Sequence, residues 1–362
     1  KNPMVLKSKL LRWGLLPFLF ILLLFQFTNL STFMKTEIGV YGFKTLDSNS
    51  DGFIDRSEWN GLGFSVTDLD RNNIIDDEEL RFLVEDFMND FSWVNKASKR
   101  WDLPDQLVHS TFLSPSMNKE VGYYIYIPDS YHLDQDKKFR TVYYLHGGRP
   151  GNEGRSVVLS NTIHELFTTT DIDPALYIFV NGGELSHYNY AENDSYGEDV
   201  FTNELIPHID SKYRTIATSE GRGLEGFSQG GRGATRYMFR HLNLFSTVAA
   251  GGASYEIEKL IQKDLGYEDD PRGSNKDIYF VGKGNDAWSL AEKHVKYKKA
   301  LPNFLIWVGS RDLNYPGVVD YKNYLDFLSI KHEFIVAEGV EHNPFIMYEE
   351  IGEKLVRFHA KD

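Results

Sequence analysis

Ser228 lies in Gly226-Phe227-Ser228-Gln229-Gly230, a spacing that suits a serine meant to attack a carbonyl carbon. Such a serine must stand clear of the backbone on a sharp turn. Small residues two places before and two after it let the incoming and outgoing chain pass closely. The backbone N–H of Gln229, at the start of a following helix, could then hold a developing oxyanion. By chance the pattern arises roughly 0.1 times in a chain of this length, so its weight rests on the residues that accompany it. Asp312 follows the apolar run 303–308 and His342 follows the apolar run 333–337. In a nucleophilic triad His342 would take the serine proton and return it to the leaving group, while Asp312 would fix the imidazole tautomer and stabilise its cation. A histidine base must be neutral, so activity is expected to fall as pH drops below roughly 6 to 7. Tyr144-Leu145-His146-Gly147-Gly148 closes another apolar run. A backbone N–H at Gly147 or Gly148 could be the second oxyanion donor beside Gln229.

Other residues compete for these roles. Asp320 and Asp326 fall within a predicted helix, Asp286 follows the run 278–281, and His332 precedes a strand rather than following one. His164, His208 and His241 fall on predicted helices as surface residues, and His146 reads as structural.

A second chemistry sits nearer the N-terminus. Asp47, Asn49, Asp51, Phe53 (through its carbonyl), Asp55 and Glu58 occupy the six ligand positions of a twelve-residue calcium loop, with Gly52 at its sharp turn. Asp68, Asp70, Asn72, Ile74 (carbonyl), Asp76 and Glu79 repeat the set. There Asn73 replaces the turn glycine, which predicts weaker binding, although asparagine tolerates positive φ better than most residues. Ile54 and Ile75 are expected to pair between the loops. Residues 36–92 hold 14 acidic and 4 basic residues, a density that repels itself without cations, so calcium is expected to be structural. The segment resembles an EF-hand pair.

These residues need elements to place them. Beyond a mixed linker at 93–104, apolar runs at 121–127, 141–145, 175–180, 223–226, 245–250, 278–281, 303–308 and 333–337 alternate with helical patterns at 158–167, 196–213, 229–241, 289–299, 315–329 and 345–359. Continuously apolar strands between helices imply an α/β architecture whose mainly parallel sheet is covered on both faces. The expected organisation is a membrane segment within 1–30, an all-α calcium pair at 36–92 and an α/β catalytic domain at 105–362.

The chain has 362 residues and a net charge of −13, which argues against nucleic acid as a partner. It holds no cysteine, excluding disulfides, thiolate metal sites and a thiol nucleophile. Lys1, Lys7, Lys9 and Arg12 precede an apolar run ending near Phe27. That is the layout of an export signal, with no small-residue cleavage site after it, so an uncleaved anchor facing the periplasm or exterior is favoured over a secreted form.

Tyr123-Tyr124-Ile125-Tyr126-Ile127-Pro128, the His146-Gly147-Gly148 turn, Asn203-Glu204-Leu205-Ile206-Pro207-His208-Ile209-Asp210 and the Ser228 turn together resemble the esterase D-type branch of the α/β hydrolases, which includes feruloyl and acetylxylan esterases. The similarity runs from about residue 109 to the C-terminus. It implies the α/β-hydrolase fold, Ser228, Asp312 and His342 as triad, Gln229 with Gly147 or Gly148 as oxyanion donors, no catalytic cofactor, and a small-molecule or carbohydrate-linked acetyl or feruloyl ester as substrate. The loop at 181–190 should border the cleft, where Tyr188 and Tyr190 could stack on a sugar or an aromatic acid or simply pack the domain surface. An acyltransferase with the same triad, and a non-catalytic calcium-dependent binding protein, are the alternatives.

Overall fold

The computed structural model describes residues 43–44, 46–59, 68, 73–76, 79–80, 91–97, 101–148, 151–259, 266–269, 278–280, 282–297 and 299–360. The apolar segment within 1–30 lies outside them, as do Asp70 and Asn72. Among the described residues no helix is long and apolar enough to cross a membrane. The chain divides into two units, Lys1–Asp90 and Phe91–Asp362. The residues read as linker therefore belong to the second unit.

In the first unit Ile54 pairs with Ile75 across a short antiparallel bridge. Both side chains are fully buried, with Phe43 and Leu80 beside them. The two acidic loops on either side carry the same internal hydrogen bonds. Gly52 N–H donates to Asp47 Oδ2 and Asn73 N–H donates to Asp68 Oδ2, both at 3.0 Å. Asp55 N–H donates to Glu58 Oε2 at 3.2 Å, and Asp76 N–H to Glu79 Oε2 at 3.1 Å. The turn residues Gly52 and Asn73 have φ of 88° and 67°, the left-handed region that glycine enters freely and asparagine tolerates.

The second unit is built on an eight-stranded sheet: β1 (Leu107–Ser114), β2 (Lys119–Tyr126), β3 (Thr141–Leu145), β4 (Leu176–Val180), β5 (Arg222–Phe227), β6 (Thr247–Gly251), β7 (Asn303–Gly309) and β8 (Glu333–Ala337). The spatial order is β1-β2-β4-β3-β5-β6-β7-β8. Only β2 breaks the parallel pattern, running antiparallel to both β1 and β4. The longer helices are α1 (Leu159–Thr169), α2 (Ile206–Lys212), α3 (Gln229–Arg240), α4 (Ala287–Tyr297), α5 (Tyr315–Phe327) and α6 (Pro344–Ala360). A π-helical turn at Val200–Leu205 leads into α2.

The continuous apolar runs are explained by burial on both faces. Along β7, Phe304, Ile306 and Val308 enter the cluster formed with α3, α4 and α5, while Leu305 and Trp307 enter the cluster formed with α1 and α6. At about 25 cal/mol per Å² of apolar surface, each such fully buried side chain contributes roughly 1.5–3 kcal/mol.

Two strand expectations change. The run at 278–281 is not in the main sheet: Ile278–Phe280 pairs antiparallel with Tyr267–Asp269. Because β6 pairs directly with β7, no place exists for a strand between them. Conversely, β1 was not anticipated, because its residues Leu-Val-His-Ser-Thr-Phe-Leu-Ser are only partly buried, as suits an edge strand.

Candidate active site

Ser228 sits between β5 and α3 with φ 58° and ψ −114°, a strained backbone conformation for a residue with a side chain. The flanking glycines are required by close approach. A Cβ on Gly226 would lie 2.3 Å from the Gly230 carbonyl oxygen, and one on Gly230 would lie 2.0 Å from the Leu145 carbonyl oxygen. The turn thus lifts the hydroxyl beyond the end of β5 and begins α3 immediately behind it. The first helical bond runs from Arg232 N–H to Ser228 O at 3.1 Å, so the N–H of Gln229 stands at an unsatisfied helix N-terminus.

Asp312 and His342 follow the ends of β7 and β8 and meet the serine there. Both Asp312 carboxylate oxygens lie 2.8 Å from His342 Nδ1, and His342 Nε2 lies 3.1 Å from Ser228 Oγ. An ionised carboxylate only accepts, so Nδ1 carries the proton and Nε2 is left to accept from the hydroxyl. The Asp312 side chain is fully buried, and the His342 side chain is 23% exposed. Asn314 N–H donates to Asp312 Oδ1 at 2.7 Å, and Asn314 Nδ2 donates to the Gly252 carbonyl at 2.8 Å, tying the acid's loop to the end of β6. The Phe227 ring lies 4.5 Å from the imidazole and stacks at 5.5 Å on Trp307.

The competing residues are engaged elsewhere. Asp320 pairs with Lys259, Asp326 with Lys322, and Asp286 accepts from Ser289 N–H at the start of α4. His332 donates to the Ile330 carbonyl. His164 and His241, placed on the surface by the sequence, are half-buried and bond to Tyr126 and Glu198. His208 is likewise half-buried, against the Tyr123 hydroxyl.

The turn at Gly147-Gly148 faces the serine: a Cβ on Gly147 would lie 3.2 Å from Ser228 Cβ. Its carbonyls are held from the far side. His187 Nε2 donates to the His146 carbonyl at 2.9 Å, and Ser186 Oγ donates to the Gly148 carbonyl at 2.7 Å. His146 Nδ1 donates to the Gly147 carbonyl at 3.0 Å, and its Nε2 accepts from Gly182 N–H at 3.0 Å. A planar trans peptide points its N–H opposite its C=O, so tying the His146 carbonyl to His187 turns the Gly147 N–H away from that loop, and the Gly147 carbonyl, held by the His146 side chain, fixes the Gly148 N–H. The arrangement requires a neutral His146. Burial, reinforced by the neighbouring His187, pushes its pKa well below the ordinary histidine value.

This assigns the loop at 181–187 a part that the sequence did not reveal. Residues 182, 186 and 187 brace the turn. Tyr188 is buried beneath the Arg236 guanidinium, 3.3 Å from its ring centre, and its hydroxyl accepts from Arg232 at 3.2 Å; it therefore cannot stack on a substrate. The available signal was Gly182-Gly183. A Cβ at Gly182 would collide with both His187 and His146, and Gly183 has φ 79°.

In the acidic loops the ligand positions present hard oxygen donors, which fit calcium. Backbone N–H groups now occupy Asp47, Asn49, Asp51, Asp55 and Glu58 side-chain oxygens. Among the described residues, no group of three or more acidic or histidine side chains is gathered as a metal site.

Comparison with known proteins agrees with this architecture. Residues 114–303 match the Esterase family model, described as "Putative esterase"; the match holds Ser228 and the Gly147-Gly148 turn and ends before Asp312. Esterase Rv1288 of Mycobacterium tuberculosis (strain ATCC 25618 / H37Rv) is 25% identical over 165 residues, 44% of this chain and 34% of its own. The chain thus spans about a third of the length of the curated relatives it matches. A ferulic acid esterase structure is similar with a TM-score of 0.55 at 20% identity, covering 70% of this chain and 96% of that one. The fluorophosphonate-binding serine hydrolase FphF of Staphylococcus aureus is similar with a TM-score of 0.58 at 17% identity, covering 71% and 98%. At these identities the structures show a shared α/β-hydrolase fold. With more than half of its length inside the family match, this chain belongs to the esterase family.

Proposed function

We propose that the protein is a serine esterase using Ser228, His342 and Asp312. The observation that carries this reading is the continuous hydrogen-bonded line from Asp312 through His342 to a serine held at positive φ, beside a turn whose Gly147 N–H faces away from its bracing loop. His342 Nε2 removes the Ser228 proton as Oγ attacks the ester carbonyl. The negative charge reaches the carbonyl oxygen, where the N–H groups of Gln229 and of Gly147 or Gly148 stabilise it. Collapse expels the alcohol, which takes the proton from His342, and leaves an acyl-serine. Water, deprotonated by the same imidazole, then releases the acid. No cofactor is needed for these steps.

Carbohydrate-linked acetyl or feruloyl esters are the substrates favoured by the resemblance to ferulic acid esterase. The acidic loops are read as structural calcium sites, with Asp47, Asn49, Asp51, Phe53, Asp55 and Glu58 the stronger set. The basic flank and apolar run before residue 28 are read as an export signal that anchors the protein at the membrane. The direct test is hydrolysis of p-nitrophenyl acetate and methyl ferulate by the chain and by Ser228→Ala. Activity abolished in the variant supports the reading, and activity retained overturns it.

A further inference from the structure

The network that braces the oxyanion turn reaches beyond the loop at 181–187. Glu153, in the segment between that turn and α1, is 1% exposed, and among the described residues no lysine or arginine pairs with it. Its carboxylate is satisfied by four donors from three places. Oε1 accepts from Asn95 N–H at 2.6 Å and lies 3.2 Å from His109 Nε2 on β1. Oε2 accepts from Asn95 Nδ2 at 3.1 Å and from Asn181 Nδ2 at 2.9 Å. That fills the roughly four acceptor directions of a carboxylate. The space is made by Gly122 on β2, where a Cβ would lie 2.0 Å from Glu153 Oε1.

Asn95 belongs to residues 92–97, the stretch that enters the second unit from the acidic one. This stretch is laid into the domain as a strap. The Trp93 carbonyl accepts from Gly122 N–H at 2.7 Å, Ala97 N–H donates to the Tyr124 hydroxyl at 2.7 Å, and the Ser92 carbonyl accepts from Asn181 Nδ2 at 3.1 Å. The Trp93 ring lies where a Cβ on Gly183 would come within 2.8 Å of it. Asn181 Oδ1 in turn accepts from Gly183 N–H at 3.0 Å, and the next residue, Gly182, donates to His146. Hydrogen bonds, with the peptide link from Asn181 to Gly182, thus connect the strap through Glu153 to the turn beside Ser228.

We propose that Glu153 is a positioning residue for the oxyanion turn, and that the strap at 92–97 is part of the frame of the esterase site and not a passive tether. Glu153 touches no reacting atom. It acts by fixing Asn181, and through it Gly182 and His146. This inference rests on the serine esterase reading. Glu153→Gln replaces an oxygen acceptor with an amide donor among amide donors, and Asn95→Ala removes the Nδ2 bond to Glu153 from a half-buried position while keeping the backbone N–H bond. Both are to be made in the full chain and assayed on p-nitrophenyl acetate, with rates expressed per reactive serine. Displacing a catalytic group by about 1 Å can cost on the order of a hundredfold in rate. The expected result is a kcat lowered about 10- to 100-fold, KM within about twofold, and an unmoved acid limb of the pH profile, since the triad is untouched. An unchanged kcat per reactive serine in Asn95→Ala, or a loss that comes with a shifted acid limb, overturns the proposal; if Glu153→Gln does not fold, Asn95→Ala decides alone. An inactive parent chain, or an active Ser228→Ala, would instead overturn the esterase reading itself.

Discussion

The two halves of the site are held in different ways. On the nucleophile side, Ser228, Asp312 and His342 each stand a few residues beyond the end of a parallel strand, and the sheet brings their loops together, with short bonds between neighbouring loops such as Arg311 N–H to the Val340 carbonyl. On the oxyanion side, the Gly147-Gly148 turn is aimed by loops: His187, Ser186 and Gly182 hold it directly, and Asn181, Glu153 and the strap hold them. The difference teaches that the proposed proton relay is placed mainly by the sheet of this fold, whereas the proposed charge stabilisation is placed by hydrogen bonds between segments distant in the chain. Removing a part from the first half should abolish chemistry; removing one from the second should weaken it and leave the proton relay intact.

The largest expected effect is on the first half. Ser228→Ala should lower kcat on an aryl ester by on the order of 10⁶-fold, read by steady-state hydrolysis with the protein still folded. Asp312→Asn should cost about 10⁴-fold, because the amide favours the wrong tautomer of His342; a loss below tenfold would show that the carboxylate is dispensable. On the second half, Ser186→Ala frees the Gly148 carbonyl and should lower kcat about tenfold with KM little changed. An equal fall from either half would erase the comparison.

Acid sharpens it further. Neutral His146 is held with its pKa well below 6.5, while in the unfolded chain it titrates near that value. Its contribution to stability is therefore fully present above about pH 6.5 and is lost as pH falls below it, by at most about 1.4 kcal/mol for each unit until the folded group protonates. Melting temperatures followed from pH 7.5 to 5 should fall, and His146→Gln should flatten that decline. Glu198 acts lower on the scale: burial opposes its charge, but the His241 hydrogen bond with Arg236 and Arg240 outweighs it and holds its pKa at about 2. Its share is kept above about pH 4.5 and lost only toward pH 2. The smallest expected effect on turnover comes from the acidic loops. Calcium titrated by calorimetry should bind, Glu58→Gln should weaken that binding, and kcat should change less than twofold; no binding heat would remove calcium from the account.

The same division decides what the sequence disclosed. Strands β2, β3, β4, β6 and β7 were legible because burial on both faces writes a largely unbroken apolar run, while β8, a half-buried edge strand, shows one as well and β5 was marked by the glycines before Ser228; Asp312 and His342 were legible because each follows such a run. Strand β1 lies at an edge and mixes polar with apolar residues, so no period marked it. The bracing network was illegible for a different reason. Glu153 sits between Asn152 and Gly154 in a polar turn, and nothing near it announces donors 58 residues upstream and 28 downstream. Tyr188 invited a binding part by its type, yet arginines one turn apart on α3 enclose it.

Helix α6 begins two residues after His342 and supplies Met347, Tyr348, Ile351, Leu355 and Phe358 to the layer that seals one face of the sheet. The proposed base is thus anchored on its C-terminal side by a helix clamped onto the sheet. Removing that helix would keep every member of the proposed triad and still unseat the imidazole, however well the strands had assembled.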